Sequence, residues 1–221
     1  MKFLLRLMVV LLPWILRRHV LRVVYGYRIH PTARIGWSWV FPERLILEEG
    51  ARIGHLNVVI RLHRLELGRG AMIGRSNWIT GFPRGASRHF AHLPNRDPSL
   101  VMGAQSAVTK QHFLDCTERI TIGAFTTVGG QGSQIMTHEI DLQGNRQDAA
   151  PITLGEYCFV GTAVVILSGA QLPSKSVLGA KALLNKTYTA SGWLYAGVPA
   201  HPIHALPADA AYFQRTTGWV W

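Results

Sequence analysis

The chain has 221 residues, enough for one domain with a sizeable core, and only 16% of them are charged, as expected where many side chains face a narrow interior. Two cysteines, Cys116 and Cys158, exclude a disulfide framework and fit a reducing compartment. The net charge of +11 calls for a partner or a local cause. Nucleic acid is a poor partner, because no recognisable module is present and the basic residues are not interleaved with a stacking platform.

Part of the charge is local to residues 1–28. Lys2, Arg6, Arg17, Arg18, Arg22 and Arg28 flank or interrupt an apolar segment whose uncharged run, residues 7–16, is ten residues long. A spanning helix needs roughly twenty. No small-residue cleavage site follows, which argues against a signal peptide. The segment predicts an amphipathic helix lying in a membrane surface, with Trp14 at the interface and the arginines toward anionic head groups. The alternative is a helix capping the open end of the domain that follows. The two readings are compatible.

From residue 29 to residue 204 a six-residue beat sets the architecture. Ile35, Phe41, Leu47, Ile53 and Val59 keep it, then Leu67, Ile73 and Ile79, then Met102, Val108 and Leu114, then Ile122 and Val128. Leu154, Val160, Ile166, Leu172, Leu178 and Leu184 complete it. Small residues stand two places before many of these, among them Ala33, Ala51, Ala71, Ser106, Thr126, Cys158 and Ser176. Neither a helix nor a strand has a period of six. Six residues make one short flat strand and a tight corner, and three such units make a coil of about eighteen residues that stacks on the next at the strand spacing of roughly 4.8 Å. No coil is stable alone, so stacking is obligatory. The expected fold is an all-β parallel β-helix.

Two segments break the beat, and breaks in a regular scaffold are where function tends to sit. Residues 80–99 carry Arg84, Arg88, His89, His92 and Arg96 among Pro, Gly, Asn and Asp. They read as a solvated loop, or as an acceptor-side lid whose arginines hold an anionic group. Residues 134–151 contain Thr137-His138-Glu139. Between the breaks, His112 occupies a slot that elsewhere holds Ala, Ser or Thr. Either that corner opens and His112 lines an acceptor site, or the ring is a satisfied packing residue. The tail, residues 205–221, carries Tyr212, Phe213, Trp219 and Trp221 and is expected to pack outside the coils or on a neighbour.

The stretches Phe113-Leu114-Asp115, Ile120-Thr121-Ile122-Gly123, Thr137-His138, Pro151 through Thr162, Val177 through Lys181, Asn185-Lys186 and Tyr195 through Ala200 resemble the hexapeptide-repeat acyltransferases. They are most similar to the sugar O-acetyltransferases of the maltose, galactoside and colanic-acid types. The resemblance implies a left-handed parallel β-helix, a homotrimer with sites between subunits, and acetyl-CoA or another acyl-CoA as co-substrate, with no metal. It makes His138 the general base and Asp115 an acceptor-binding carboxylate. It brings Gly161, Thr162, Ala163, Ala180, Asn185 and Lys186 to the CoA arm and phosphates, assisted by Lys175 and Lys181. Lys181 stands where that family usually has Gly, and Phe159 replaces a common Trp.

The implied activity is O-acylation of a sugar or glycolipid hydroxyl in surface-polysaccharide synthesis, on the inner, cytoplasmic face of the membrane. Two other classes remain: a non-catalytic membrane-bound scaffold, and a zinc hydro-lyase of the γ-carbonic-anhydrase type. The latter needs three converging histidines, for which His112, His138 and His89 or His92 are the candidates.

Overall fold

A computed structural model describes residues 2–85 and 89–220. Arg88 and Trp221, both named above, lie outside the described residues. The chain winds through three parallel sheets in turn, so that every third strand becomes a neighbour. The first sheet runs from Arg28–Ile29 to Gln171–Leu172. The second begins at Arg34–Ile35 and ends in an antiparallel hairpin, Trp193–Gly197 with Ala200–Ala205. The third runs from Trp39–Phe41 to Leu183–Leu184.

Each sheet sends apolar residues into the prism in columns, and the longer strands of the first sheet add a second one, Leu45, Leu65, Leu100, Ile120 and Ile152. On the first the column is Ile29, Leu47, Leu67, Met102, Ile122, Leu154 and Leu172. On the second, Ile35, Ile53, Ile73, Val108, Val128, Val160, Leu178 and Tyr195 are stacked in register. Nearly all are fully buried, and each such side chain contributes about 1.5–3 kcal/mol by leaving water.

The third column is Val40, Val59, Ile79, Leu114, Ile135, Ile166 and Leu184. It departs from the strict beat at two corners. Between Ile35 and Val40 the corner is one residue short, so Val40 rather than Phe41 takes the inward position. Phe41 is buried instead against Tyr25, Trp39 and the guanidinium of Arg6. Between Val128 and Ile135 the corner is one residue long, with Gly130 and Gly132 both at positive φ (68° and 73°), a conformation that glycine adopts without steric cost. The extra residue throws the period off, so Gln134–Met136 is a regular strand and the second interruption starts only at Thr137.

Beside the third column runs a polar one: Ser38, Asn57, Asn77, His112 and Ser133, all buried. The side chains of the first four each satisfy the backbone of the next coil. Asn57 N–H donates to Ser38 Oγ (2.9 Å), Asn77 N–H to Asn57 Oδ1 (2.9 Å), His112 N–H to Asn77 Oδ1 (2.9 Å), and Ser133 N–H to His112 Nδ1 (3.2 Å). Thr109 Oγ1 lies 3.0 Å from His112 Nε2. Both ring nitrogens are thus engaged and the residue is 2% exposed, the geometry of a satisfied packing residue rather than of a side chain lining an open site.

Burial lowers the pKa of His112 from 6.5 to about 4, so the folded chain holds it neutral. In the unfolded chain it gains a proton first as pH falls. Stability is therefore expected to drop as pH goes from about 6.5 down to about 4. His112→Leu, which leaves the Ser133 N–H unpaired, should cost about 1–3 kcal/mol in urea denaturation. His112→Asn, which continues the column as Asn57 and Asn77 do, should cost less and remove that part of the acid sensitivity. Equal losses for Leu and Asn would refute the role of the column.

Neighbouring coils exchange backbone hydrogen bonds in both directions, as Gly36 N–H to Ile53 O and Leu56 N–H to Trp37 O show. The first coil has no coil before it, so backbone groups on its outer side are left over. The two N-terminal helices, α1 (Lys2–Leu11) and α2 (Trp14–Val23), separated at Pro13, sit at that end. Arg17, 1% exposed, donates to Gly36 O (2.8 Å) and Ser38 O (2.7 Å). Arg18 donates to Pro31 O, and the Tyr27 hydroxyl to Pro42 O. Val9 and Leu21 join the core. The segment is thus two short helices rather than one, and α2 caps the prism.

The tail runs back along the outside. Tyr212 donates to Cys158 O, the Arg215 guanidinium stacks on Tyr212 and Tyr157, and Gly218 N–H reaches Gln105 Oε1. Both cysteines are buried and free, with Cys158 in the small-residue column; burial raises its thiol pKa to about 11 and pushes that of Cys116 well up.

Candidate active site

Both interruptions leave the prism at the corner between its third and first sheets. The first is residues 81–98, between Trp78–Thr80 and Ser99–Met102. The second is an antiparallel hairpin, His138–Asp141 with Arg146–Ala149. Its turn is built by Asp141, whose carboxylate accepts from the N–H groups of Gln143 and Gly144 and from Arg146 Nε. These bonds hold the Asp141 carboxyl below its usual range, with the Gly144 bond the largest cause.

The described residues of loop 81–98 are anchored to the prism rather than forming a solvated excursion. Arg96, 5% exposed, donates to the carbonyls of Phe82, Pro83 and Thr117. Asp97 faces Arg64, Arg84 and Arg119. Burial opposes its ionisation, but hydrogen bonds from Arg119 and Ser99 and the charges of Arg119 and Arg64 outweigh it, so its carboxyl titrates below the usual range. Of the arginines that sequence offers as holders of an anionic ligand, the two described ones are spent on the loop itself: Arg84 bonds Arg96 O and Asp97, and Arg96 is buried under carbonyls and the Phe90 ring. Of the loop histidines, His89 packs on Phe82, and His92 Nε2 lies 3.3 Å from Asp148 on the hairpin, tying the two interruptions together.

His138 stands where the hairpin leaves the prism. Its Nδ1 lies 3.7 Å from Asp115 Oδ2, one coil below. The buried Asp115 uses its other oxygen to accept from Thr117 N–H (2.9 Å) and Oγ1 (2.6 Å), the local turn that an Asp at a corner makes. The Phe90 ring meets the imidazole edge-on at 5.6 Å. His138 Nε2 is buried and has no hydrogen-bond partner. A buried polar nitrogen left unpaired costs free energy. Here it is held in place by a carboxylate on one side and an aromatic wall on the other, which suits it to receive a proton from a bound group.

The residues expected to hold a CoA arm fall on two different edges of the prism. Gly161, Thr162, Ala163 and Ala180 lie at the corner between the second and third sheets. There a Cβ at Gly161 would come within 2.7 Å of the Ala180 backbone, and Thr162 Oγ1 exchanges hydrogen bonds with Gln131. Asn185 and Lys186 follow Leu183–Leu184 at the corner of the third and first sheets, the same edge as His138. Lys175, Lys181 and Lys186 lie on three separate edges, so one chain does not gather them around one ligand.

Among the described residues, no group of three His, Cys, Asp or Glu side chains is placed to hold a metal ion. Of the histidines considered for one, His112 is buried with both nitrogens bonded, and His92 is paired with Asp148.

No protein-family model matches the chain, and no curated protein does. Solved structures do. A hexapeptide-repeat acetyltransferase from Vibrio cholerae is 20% identical, with 64% of this chain and 73% of that one covered at a TM-score of 0.51. A hexapeptide transferase family protein from Anaplasma phagocytophilum is 18% identical, with 85% of each chain covered at 0.50. A polysialic acid O-acetyltransferase is 15% identical, with 84% and 90% covered at 0.52. The fold is the left-handed parallel β-helix of the hexapeptide-repeat acetyltransferases.

Within that β-helix, sequence reasoning missed Phe90, Asp148 and the contact of Asp115 with His138. Phe90 sits in a stretch without period and carries no signal. The hairpin was legible in principle, since four residues containing Gly144 between two short runs fit a hairpin with a longer loop.

Proposed function

We propose that the protein is an acyl-CoA-dependent O-acyltransferase, with acetyl-CoA the simplest donor, acting on a hydroxyl of a sugar or lipid-linked oligosaccharide. One observation carries this reading: the corner histidine His138, with Asp115 behind Nδ1 and with Nε2 buried and unpaired. The fold neighbours support it, since they are named acetyltransferases and one is named for polysialic acid.

In this mechanism the acceptor hydroxyl gives its proton to His138 Nε2 as its oxygen attacks the thioester carbonyl. Asp115 stabilises the imidazolium that forms. The tetrahedral intermediate then collapses, breaking the C–S bond, and the CoA thiolate leaves. The imidazolium returns the proton to the sulfur or to solvent. A screen of acyl-CoA donors against glycans, with mass detection of the acylated product, tests the activity. Release of free CoA with no acylated product from any glycan would count against a sugar acceptor.

The division of the CoA residues between two edges supports a homotrimer with sites between copies. A thioester lying between two prisms would meet Asn185 and Lys186 beside His138 of one copy and Gly161, Thr162, Ala163 and Ala180 of the next. Light scattering should give a mass close to three times the 24.6 kDa chain. A clean monomer that turns over acyl-CoA would sink the shared site.

The same reading puts the enzyme against the inner face of the cytoplasmic membrane. No helix among the described residues is long and apolar enough to cross a membrane, but α1 presents Phe3, Leu4, Met8 and Leu11 to solvent.

A further inference from the structure

We infer that Gln147 fixes which hydroxyl of the acceptor reacts, by accepting a hydrogen bond from a second hydroxyl of the same sugar; this rests on the acyltransferase reading above. In the hairpin, His138 pairs with Ala149, and Ile140 pairs with Gln147. Directly paired residues of an antiparallel ladder share a face, as do residues two apart. Gln147 is therefore the diagonal neighbour of His138 on one face, at about 7–8 Å between backbones.

Both side chains end in a buried polar atom without a partner, Nε2 of His138 and Oε1 of Gln147. Buried polar groups in folded chains are nearly always paired, so two such atoms on one face of one inserted hairpin mark a place where a ligand completes the bonding. Beside Gln147 runs a groove of about 320 Å³, lined by His89, Ile140, Asn145, Arg146 and Gln147. That volume lies at the lower end of small-molecule sites, roughly 300–1,000 Å³.

The chemistry of the pair is specific. An imidazole nitrogen and an amide oxygen both accept, so the acceptor must present two donors on one side. Neighbouring ring hydroxyls of a hexose do so, and only the one at His138 loses its proton. Phe90, against His138, brings the loop to this face, and His92, held to Asp148 on the opposite face of the hairpin, ties the two segments together.

The test uses the full chain, acetyl-CoA and p-nitrophenyl hexosides, each with its single-deoxy analogues. Gln147→Leu should raise the acceptor KM about tenfold, the worth of one hydrogen bond, and move the KM for acetyl-CoA less than twofold. Gln147→Glu, which keeps an accepting oxygen in place, should stay within about threefold of wild type. The wild type should lose the same tenfold on the one deoxy hexoside that lacks the second hydroxyl, and Gln147→Leu should not distinguish that analogue from the parent.

Three results would overturn the assignment: an unchanged acceptor KM in Gln147→Leu, an equal rise in the KM for acetyl-CoA, or a Glu variant as poor as Leu. A wild type that transfers to no hexoside while still acylating another nucleophile would also overturn it, yet leave His138 in place as the base. A wild type that turns over no acyl-CoA at all would bring down the acyltransferase reading and this one together.

Discussion

His138→Ala is expected to lower the rate of acyl transfer by about 10²–10⁴, the span for loss of a general base, with little change in the KM for acyl-CoA. The argument is geometric. His138 is the one histidine of the corner whose ring carries a buried, unpartnered nitrogen. The other ring nitrogen faces Asp115 Oδ2 at 3.7 Å, a charge contact that strengthens once the ring is protonated in the transition state. The donor is expected to lie along Asn185 and Lys186 and the neighbouring copy's edge, so removing the imidazole leaves its binding surface intact. His112 supplies the control. It is locked in the polar column by Ser133 and Thr109, so His112→Asn should keep turnover near wild type. If His138→Ala turned over at a normal rate while His112→Asn was dead, the base would have been assigned to the wrong coil.

The second large effect concerns the membrane. Leu4, Leu11 and Ile15 are 63%, 73% and 81% exposed, on helices whose other faces hold the prism together. Burying one such side chain fully is worth about 1.5–3 kcal/mol, so three of them inserted in an interface account for several powers of ten in partitioning. The combined variant Leu4→Glu, Leu11→Glu, Ile15→Glu should lose at least about 100-fold in binding to anionic vesicles, measured by sedimentation. Its thermal unfolding should match wild type, because Val9, Arg17 and Leu21 keep the inward contacts. Deleting the segment is a poorer test, since α2 saturates the open carbonyls of the first coil and its loss should unfold that end. Unchanged sedimentation of the triple variant would end the membrane-surface reading and leave the cap as the role of the segment.

The prism was legible in the sequence because it is a local repeat. A residue six places on meets the same corner and the same interior, so Ile53, Ile73, Leu154 and Leu172 declare the coil before any long-range contact is known. The beat failed where a corner changed length, at Ile35 to Val40 and at Val128 to Ile135, and where the longer strands of the first sheet shift it, as from Val59 to Leu67 and from Leu114 to Ile122, since a period cannot register residues dropped or added. His138 and Asp115 were legible as chemistry by resemblance, but not as a pair. They are far apart in the chain, and only the stacking of one coil on the next brings the carboxylate under the imidazole.

The tertiary structure alone decided which polar residues are spent and which are free. Arg84 and Arg96 read as ligand holders and are consumed by the loop's own carbonyls and Asp97, because a segment without strands must find partners for its backbone wherever it can. His112 reads either as a residue lining the acceptor site or as a packing residue, and both its ring nitrogens are engaged within the column of Asn57 and Asn77. Composition and period determine how an interior repeats. Which buried atom remains unpaired depends on the sum of all its neighbours, and those neighbours come from coils that the sequence does not place side by side.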